Sequence, residues 1–258
     1  MERLSTLTGF ICDCSSEHTS YKVVRVPPWQ QESNKFGIQV FSSDLGKWNL
    51  YEVFCPDGVT VRFPRDVSDG LPADGVTIHG NVLYWIDMYD RIVACNMEND
   101  ESYVRQCRLI DLPGKSDRGI ISSTRCLGES DGSIFYARIN RRQETLSVWV
   151  RQEDNFHLLH NDIDLHDLFG EIDIKLFEDF DGIRWGHDLV EVLGFSPVDS
   201  NVVIIGYKNC IWGYNIGTRK YDELCHPSIM GNKHSASDTV YLPLVLKPVP
   251  TILPPRSW

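Results

Sequence analysis

The chain has no excess of positive charge. Its 258 residues carry 25 Lys and Arg against 36 Asp and Glu, a formal net charge of −11. A protein that tracks a nucleic-acid backbone needs a basic face to displace counterions, so nucleic acid is not an expected partner. The same sign disfavours adsorption to an anionic membrane. Long apolar runs are missing as well. Stretches such as Val202–Gly206 fall far short of the ~20 residues that span a bilayer. No Asn-x-Ser/Thr sequon occurs, and the opening MERLSTLTGFICDCSS has no basic region followed by an apolar one; no secretory signal is expected.

The motifs of common catalytic sites are absent too. There is no Gly-x-Ser-x-Gly elbow of the kind that exposes a nucleophilic serine. Gly114-Lys115-Ser116 lacks the upstream glycine of a phosphate loop. Cys12-x-Cys14 is too closely spaced for a C-x-x-C redox or zinc pattern. The expectation is a protein with no catalytic residues, no metal and no cofactor. Eight cysteines are scattered along the chain, with Cys95 and Cys210 inside strand-like runs. Such residues behave as small buried hydrophobes, which points to reduced thiols in the cytoplasm or nucleus.

What the chain does contain is strand and turn. Hydrophobic residues make up 42% and aromatics 11%, enough for a sizeable core. The apolar segments are short, rich in β-branched and aromatic residues, and bounded by Gly, Asp, Asn or Ser. Strands are expected at Tyr21–Val26, Gly37–Ser42, Asn81–Asp87, Arg91–Met97, Ser133–Ile139, Leu146–Arg151, Asn201–Gly206 and Cys210–Ile216. Asp131-Gly132 is one of the turn signals between them. Helical spacing occurs once, over Asp162–Phe180, through Leu165, Leu168, Phe169 and Ile172.

The strands repeat. FGIQVFSSDLGKW, RIVACNMENDESY, LSVWVRQEDNF and IWGYNIGTRKY end on Trp48, Tyr103, Phe156 and Tyr221, at intervals of 55, 53 and 65 residues. SYKVVRV, GNVLYWI, GSIFYAR and SNVVIIG recur ahead of them. A period near 50 with several short strands per unit marks a kelch-type β-propeller, or a C-terminal part of one, with about four units visible. The longer last interval holds an insertion centred on His160–Asp188. Residues 1–240 are expected to form the propeller-like domain, and 241–258 a Pro-rich tail. Trp48, Trp85, Trp149 and Trp212 lie in the repeating strands and are expected in the core.

TGFICDCSSEHTSYKVVRV, GIQVFSSDLGKW, GVTIHGNVLYWI and VLGFSPVDSNVVIIG, in that order, resemble the F-box-associated region of plant F-box proteins. The resemblance covers residues ~9–225, and its specificity lies in the succession of the motifs. It implies a kelch-like propeller that captures a protein substrate for a cullin-type (SCF) ubiquitin ligase. No F-box of the kind that contacts the Skp adaptor is recognisable in the sequence. Skp adaptor and cullin are therefore expected partners only where an F-box lies upstream. A stand-alone interaction propeller is the alternative.

Binding residues concentrate on loops, so loop aromatics and cations are the candidates for partner contact. Arg184, Trp185 and His187 lie between Gly182 and Asp188 in the insertion, and Trp29 follows Pro27-Pro28; Trp and Arg are common interface anchors. The insertion also carries ten acidic residues between Asn161 and Glu191, opposed by Lys175 and Arg184, the composition of a rim that attracts a basic partner. His160-Asn161-Asp162-Ile163-Asp164-Leu165-His166-Asp167 could be drawn as a metal site of a propeller hydrolase, a remote alternative. A helix N-terminus capped by Asp162 or Asp164 is the plainer expectation.

Overall fold

Alternation of side chains decides where each strand's two faces go. In β3 (Lys35–Ser42), Phe36, Ile38, Val40 and Ser42 are buried, while the intervening residues point the other way, as a pleated strand covered on one face requires. The computed structural model describes residues 6–14, 19–63, 75–97, 104–113, 123–140, 145–153, 155–165, 190–207 and 210–225. Within them the strands fall into consecutive antiparallel groups of four. Blade 1 comprises β1 (Leu7–Cys14), β2 (Thr19–Val26), β3 and β4 (Lys47–Phe54). Blade 2 comprises β5 (Thr77–His79), β6 (Val82–Ile86), β7 (Arg91–Asn96) and β8 (Val104–Asp111). Blade 3 comprises β9 (Ser123–Ser130), β10 (Ser133–Asn140), β11 (Thr145–Gln152) and β12 (Asn155–Asp164). Blade 4 comprises β13 (Val190–Phe195), β14 (Val202–Tyr207), β15 (Cys210–Asn215) and β16 (Lys220–Cys225).

All eight strands expected from the sequence are present. The Asp131-Gly132 turn joins β9 to β10 with both residues at positive φ, 46° and 70°. A two-residue hairpin loop needs that left-handed pair to match the strand twist, and Asp-Gly accommodates it.

The blades stand side by side, with β1 against β5, β5 against β9 and β9 against β13 as the inner strands. Three apolar clusters fill the three spaces between them. Val24, Ile38 and Val53 of blade 1 meet Leu83, Trp85 and Cys95 of blade 2. Tyr84, Ile86 and Ile92, on the opposite face of blade 2, meet Leu127, Tyr136 and Trp149 of blade 3. Phe135, Leu146 and Val148 meet Val203, Trp212 and Tyr214 of blade 4. Strands of the middle blades are thus covered on both faces, which is why β6 reads as the unbroken apolar run VLYWI. The fold is an all-β, kelch-like propeller, with four repeat units among the described residues.

Three features depart from the sequence expectation. First, β4 and β8 pair in parallel, Glu52 to Val104 through Phe54 to Gln106. Blades 1 and 2 therefore form one eight-stranded sheet folded into a nearly closed barrel. At its other end the Val76 N–H donates to Thr8 O at 3.3 Å. Second, Trp48 is 44% exposed, although Trp85, Trp149 and Trp212 are buried as expected. Third, Asp162 and Asp164, where a helix is expected to open, are strand residues. β12 runs through Asp164. Asp162 sits at φ 48° beside a register shift against β11. Its N–H donates to Ser147 Oγ at 3.3 Å, and its Oδ1 accepts from Thr145 Oγ1 at 3.4 Å. Pairing with β11 has claimed this residue for a β-bulge, where a left-handed residue belongs, rather than for a cap. The rest of that expected helix, and the tail 241–258, lie outside the described residues.

Candidate functional site

Blade 1 presents two different surfaces because each of its strands sends alternate side chains to opposite faces. The inward face helps form a cleft of about 360 Å³ against blade 2, at the small end of ligand-binding cavities. Val24, Val40, Leu83 and Met97 supply apolar lining, and Lys22, Asp44, Asn49 and Asn81 supply polar groups of both charge signs. No histidine or cysteine lines it. The cleft therefore offers hydrogen bonds and apolar contact.

The outward face of blade 1 carries an aromatic row. Phe10 stacks on Tyr21 at 5.8 Å between centroids, Tyr21 lies 5.9 Å from Phe41, and Phe41 lies 5.5 Å from Trp48. The Arg25 guanidinium lies 4.7 Å over the Trp48 ring. Register builds the row: Val23 and Phe41 are partners across β2 and β3, and Phe41 and Trp48 are partners across β3 and β4. Phe10, Tyr21, Trp48 and Leu50 are all at least 40% exposed. Contiguous exposed apolar surface of this kind is where soluble proteins bind others, and tryptophan, tyrosine and arginine are the side chains that anchor such contacts.

A polar pin fixes the connection from blade 1 to blade 2. Asp87, wholly buried, accepts from the N–H groups of Tyr89 and Arg91, each at 2.9 Å. The Arg91 side chain donates to Asp87 Oδ2 through Nε at 3.0 Å and Nη2 at 2.5 Å. Nη2 also donates to Thr60 O at 2.7 Å, tying the β6–β7 hairpin to the segment after β4. Arg125 of β9 adds an ion pair to Asp90 and a hydrogen bond to Asp87 O at 3.3 Å. Alongside, Glu32 accepts from the Tyr89 hydroxyl and from Thr60 Oγ1 at 3.1 Å. The Tyr89 bond first, then the Thr60 bond, lower the Glu32 carboxyl, and the bond to Glu32 in turn raises the Tyr89 hydroxyl. Because every Asp87 bond is satisfied, the buried charge is tolerated.

The residues singled out from sequence fare differently. Trp29 is half-buried rather than exposed. Its ring stacks on Phe36 at 4.9 Å and meets Phe63 edge-on at 5.0 Å, and its indole N–H points at Val61 O, 3.4 Å away. Arg184, Trp185 and His187 lie outside the described residues. His160 and Asp164 sit on β12. Among the described residues no group of three or more His, Cys, Asp and Glu is arranged to hold a metal ion.

Sequence reasoning missed both the aromatic row and the Asp87 pin. A signal for the first was present. On β4 the stripe containing Trp48 also contains Leu50 and Glu52, whereas Tyr51 and Val53 share the other stripe. A carboxylate in the stripe marks it as the wet one. The pin had a weaker signal, the Asp87-x-x-Asp90-Arg91 hairpin, in which Asp87 caps its own turn.

Comparison with known proteins bears directly on this architecture. The model of the family described as F-box protein At3g26010-like, beta-propeller, matches residues 6–244. The chain belongs to that family. In this F-box-like propeller family the four repeats found here are blades, and the surfaces above are a blade face and an inter-blade cleft. Among curated proteins none matches the chain. Among solved structures, a "putative 6-phosphogluconolactonase" from Bacteroides uniformis is 12% identical with a TM-score of 0.35, over 79% of this chain and 67% of that one. Among the described residues no helix is long and apolar enough to cross a membrane.

Proposed function

We propose that this propeller is the substrate-recognition region of an SCF-type ubiquitin ligase subunit, a non-catalytic receptor working in the cytoplasm or nucleus of a plant. The observation that carries the reading is the aromatic row of exposed Phe10, Tyr21 and Trp48 around half-buried Phe41, on a blade of an F-box-like propeller. It gives a protein partner a broad apolar platform with a cation at its edge. Arg184, Trp185 and His187 in the acidic insertion, 161–191, are the second contact region, suited to a basic segment of the same partner. Residues 1–240 serve as the receptor domain and 241–258 as a Pro-rich tail.

The test is immunoprecipitation of the endogenous protein, followed by mass spectrometry for Skp adaptor and cullin. Recovery of both supports the ligase reading. Recovery of neither, from protein that still binds a partner through the Trp48 face, assigns the propeller to a stand-alone interaction role.

A further inference from the structure

Three thiols meet at the seam between blades 1 and 2, and the receptor reading does not use them. Cys55 directly follows β4, Cys107 lies on β8, and Cys95 is the β7 partner of Cys107. The parallel pairing of β4 and β8 reaches Phe54 and Gln106, so the next residue on each side, Cys55 and Cys107, carries the same register forward. Their Sγ atoms lie 3.8 Å apart. Adjacent strands run about 4.8 Å apart, inside the roughly 4.4–6.8 Å between Cα atoms that a disulfide spans. Only the sulfurs need to approach. The Cys55 backbone is held in that place, its N–H donating to Asn34 O at 2.8 Å, so closure needs a side-chain rotation and no shift of the chain.

The chemistry of the cluster is asymmetric. Burial pushes the Cys55 thiol up to about 12 and raises Cys95 well above the ordinary thiol range. Cys107 moves the other way. A hydrogen bond from Cys95 stabilises its thiolate, a second from Cys55 helps, and together they outweigh burial. Cys107 is therefore the first of the three to lose its proton, and a thiolate is the form that reacts.

We infer that Cys55 and Cys107 form a reversible disulfide under peroxide, locking blade 1 to blade 2 at their outer strands. The Cys107 thiolate attacks one oxygen of hydrogen peroxide; the O–O bond breaks, hydroxide leaves, and a sulfenic acid remains. The Cys55 sulfur then attacks the Cys107 sulfur. The S–O bond breaks, and the sulfenic oxygen departs as water with the Cys55 proton. Two thiols and one peroxide become one disulfide and two waters, with two electrons passing from sulfur to peroxide.

Trypsin separates the three residues cleanly, because Cys55 falls in peptide 48–62, Cys95 in 92–105 and Cys107 in 106–108. The purified full chain is treated with hydrogen peroxide, blocked with N-ethylmaleimide and digested without reductant. The expected product is 48–62 joined to 106–108, released by dithiothreitol. Recovery of 48–62 carrying maleimide with no linked form, or of 106–108 joined to 92–105, overturns the assignment. C95A removes the hydrogen bond that stabilises the Cys107 thiolate, so folded C95A forms the Cys55–Cys107 link more slowly but to the same extent, and a folded C95A that joins 48–62 to any peptide other than 106–108 overturns the pairing. Closing a loop of about 50 residues raises the melting temperature by roughly 5–10 °C, reversed by dithiothreitol. A linked chain that melts no higher than the reduced one overturns the locking role.

Discussion

Blades 1 and 4 place an aromatic residue at the same position of their outer strand and give it opposite surroundings. Trp48 and Tyr221 are each the second residue of that strand, and each is paired with an aromatic on the neighbouring strand, Phe41 and Tyr214 respectively. Tyr221 packs against the cluster between blades 3 and 4, 5.8 Å from Trp212. Phe156, the blade 3 counterpart, packs beside Tyr136 in the space toward blade 2. Trp48 faces outward at 44% exposure. The repeat fixes which face an aromatic takes, while the blade beside it fixes whether that face is dry. Propeller sheets gain their apolar burial from stacking, so the first face of an array carries core-like residues with no matching sheet in the described residues.

The sharpest test of this contrast is truncation of a tryptophan on each side. Trp85 lies wholly buried between blades 1 and 2, within 5.6 Å of Phe36 between centroids. W85A should lose about 3–5 kcal/mol of stability in denaturant titration. An intermediate loss is expected where two blades touch most closely. A Cβ at Gly128 would lie 2.7 Å from the Phe195 ring across the space between blades 3 and 4, so G128A should cost about 1–3 kcal/mol by the same titration. The smallest effect belongs to the open face. W48A gives up the Arg25 contact and part of the Phe41 contact, and should cost about 1 kcal/mol or less, while weakening partner capture at least tenfold. A W48A loss comparable to that of W85A would break the comparison and place Trp48 in a covered interface.

Much of the fold was legible because its determinants are local. Strand periodicity, the Asp131-Gly132 turn and the recurrence of the units all lie within short windows, and each strand expected from them is present. The β4–β8 seam was not legible, since pairing Val53 with Arg105 joins segments about fifty residues apart that share no pattern. Exposure of Trp48 has a related cause: its place in the repeat marks it as core, while the Glu52 in its own stripe marks that face as wet. The end of β12 illustrates competition between elements. Asp162 has the side chain of a helix cap, yet Ser147 and Thr145 on β11 offer it partners inside the sheet. Of the candidate site, Trp29 reads from sequence as a loop aromatic, but Phe36 and Phe63 draw its ring inward.

The parallel seam also bears on how such a chain can change over evolutionary time. Among the described residues, blade 4 meets blade 3 through side-chain packing and no backbone ladder. A duplicated or deleted unit could enter or leave there and still find a complementary neighbour. Blades 1 and 2 share backbone hydrogen bonds across β4 and β8 as well as an apolar interior. A unit inserted between them would have to dismantle a sheet. Blades 1 and 2 are therefore expected to behave as one unit when the array changes, whereas the packed contact between blades 3 and 4 is open to exchange.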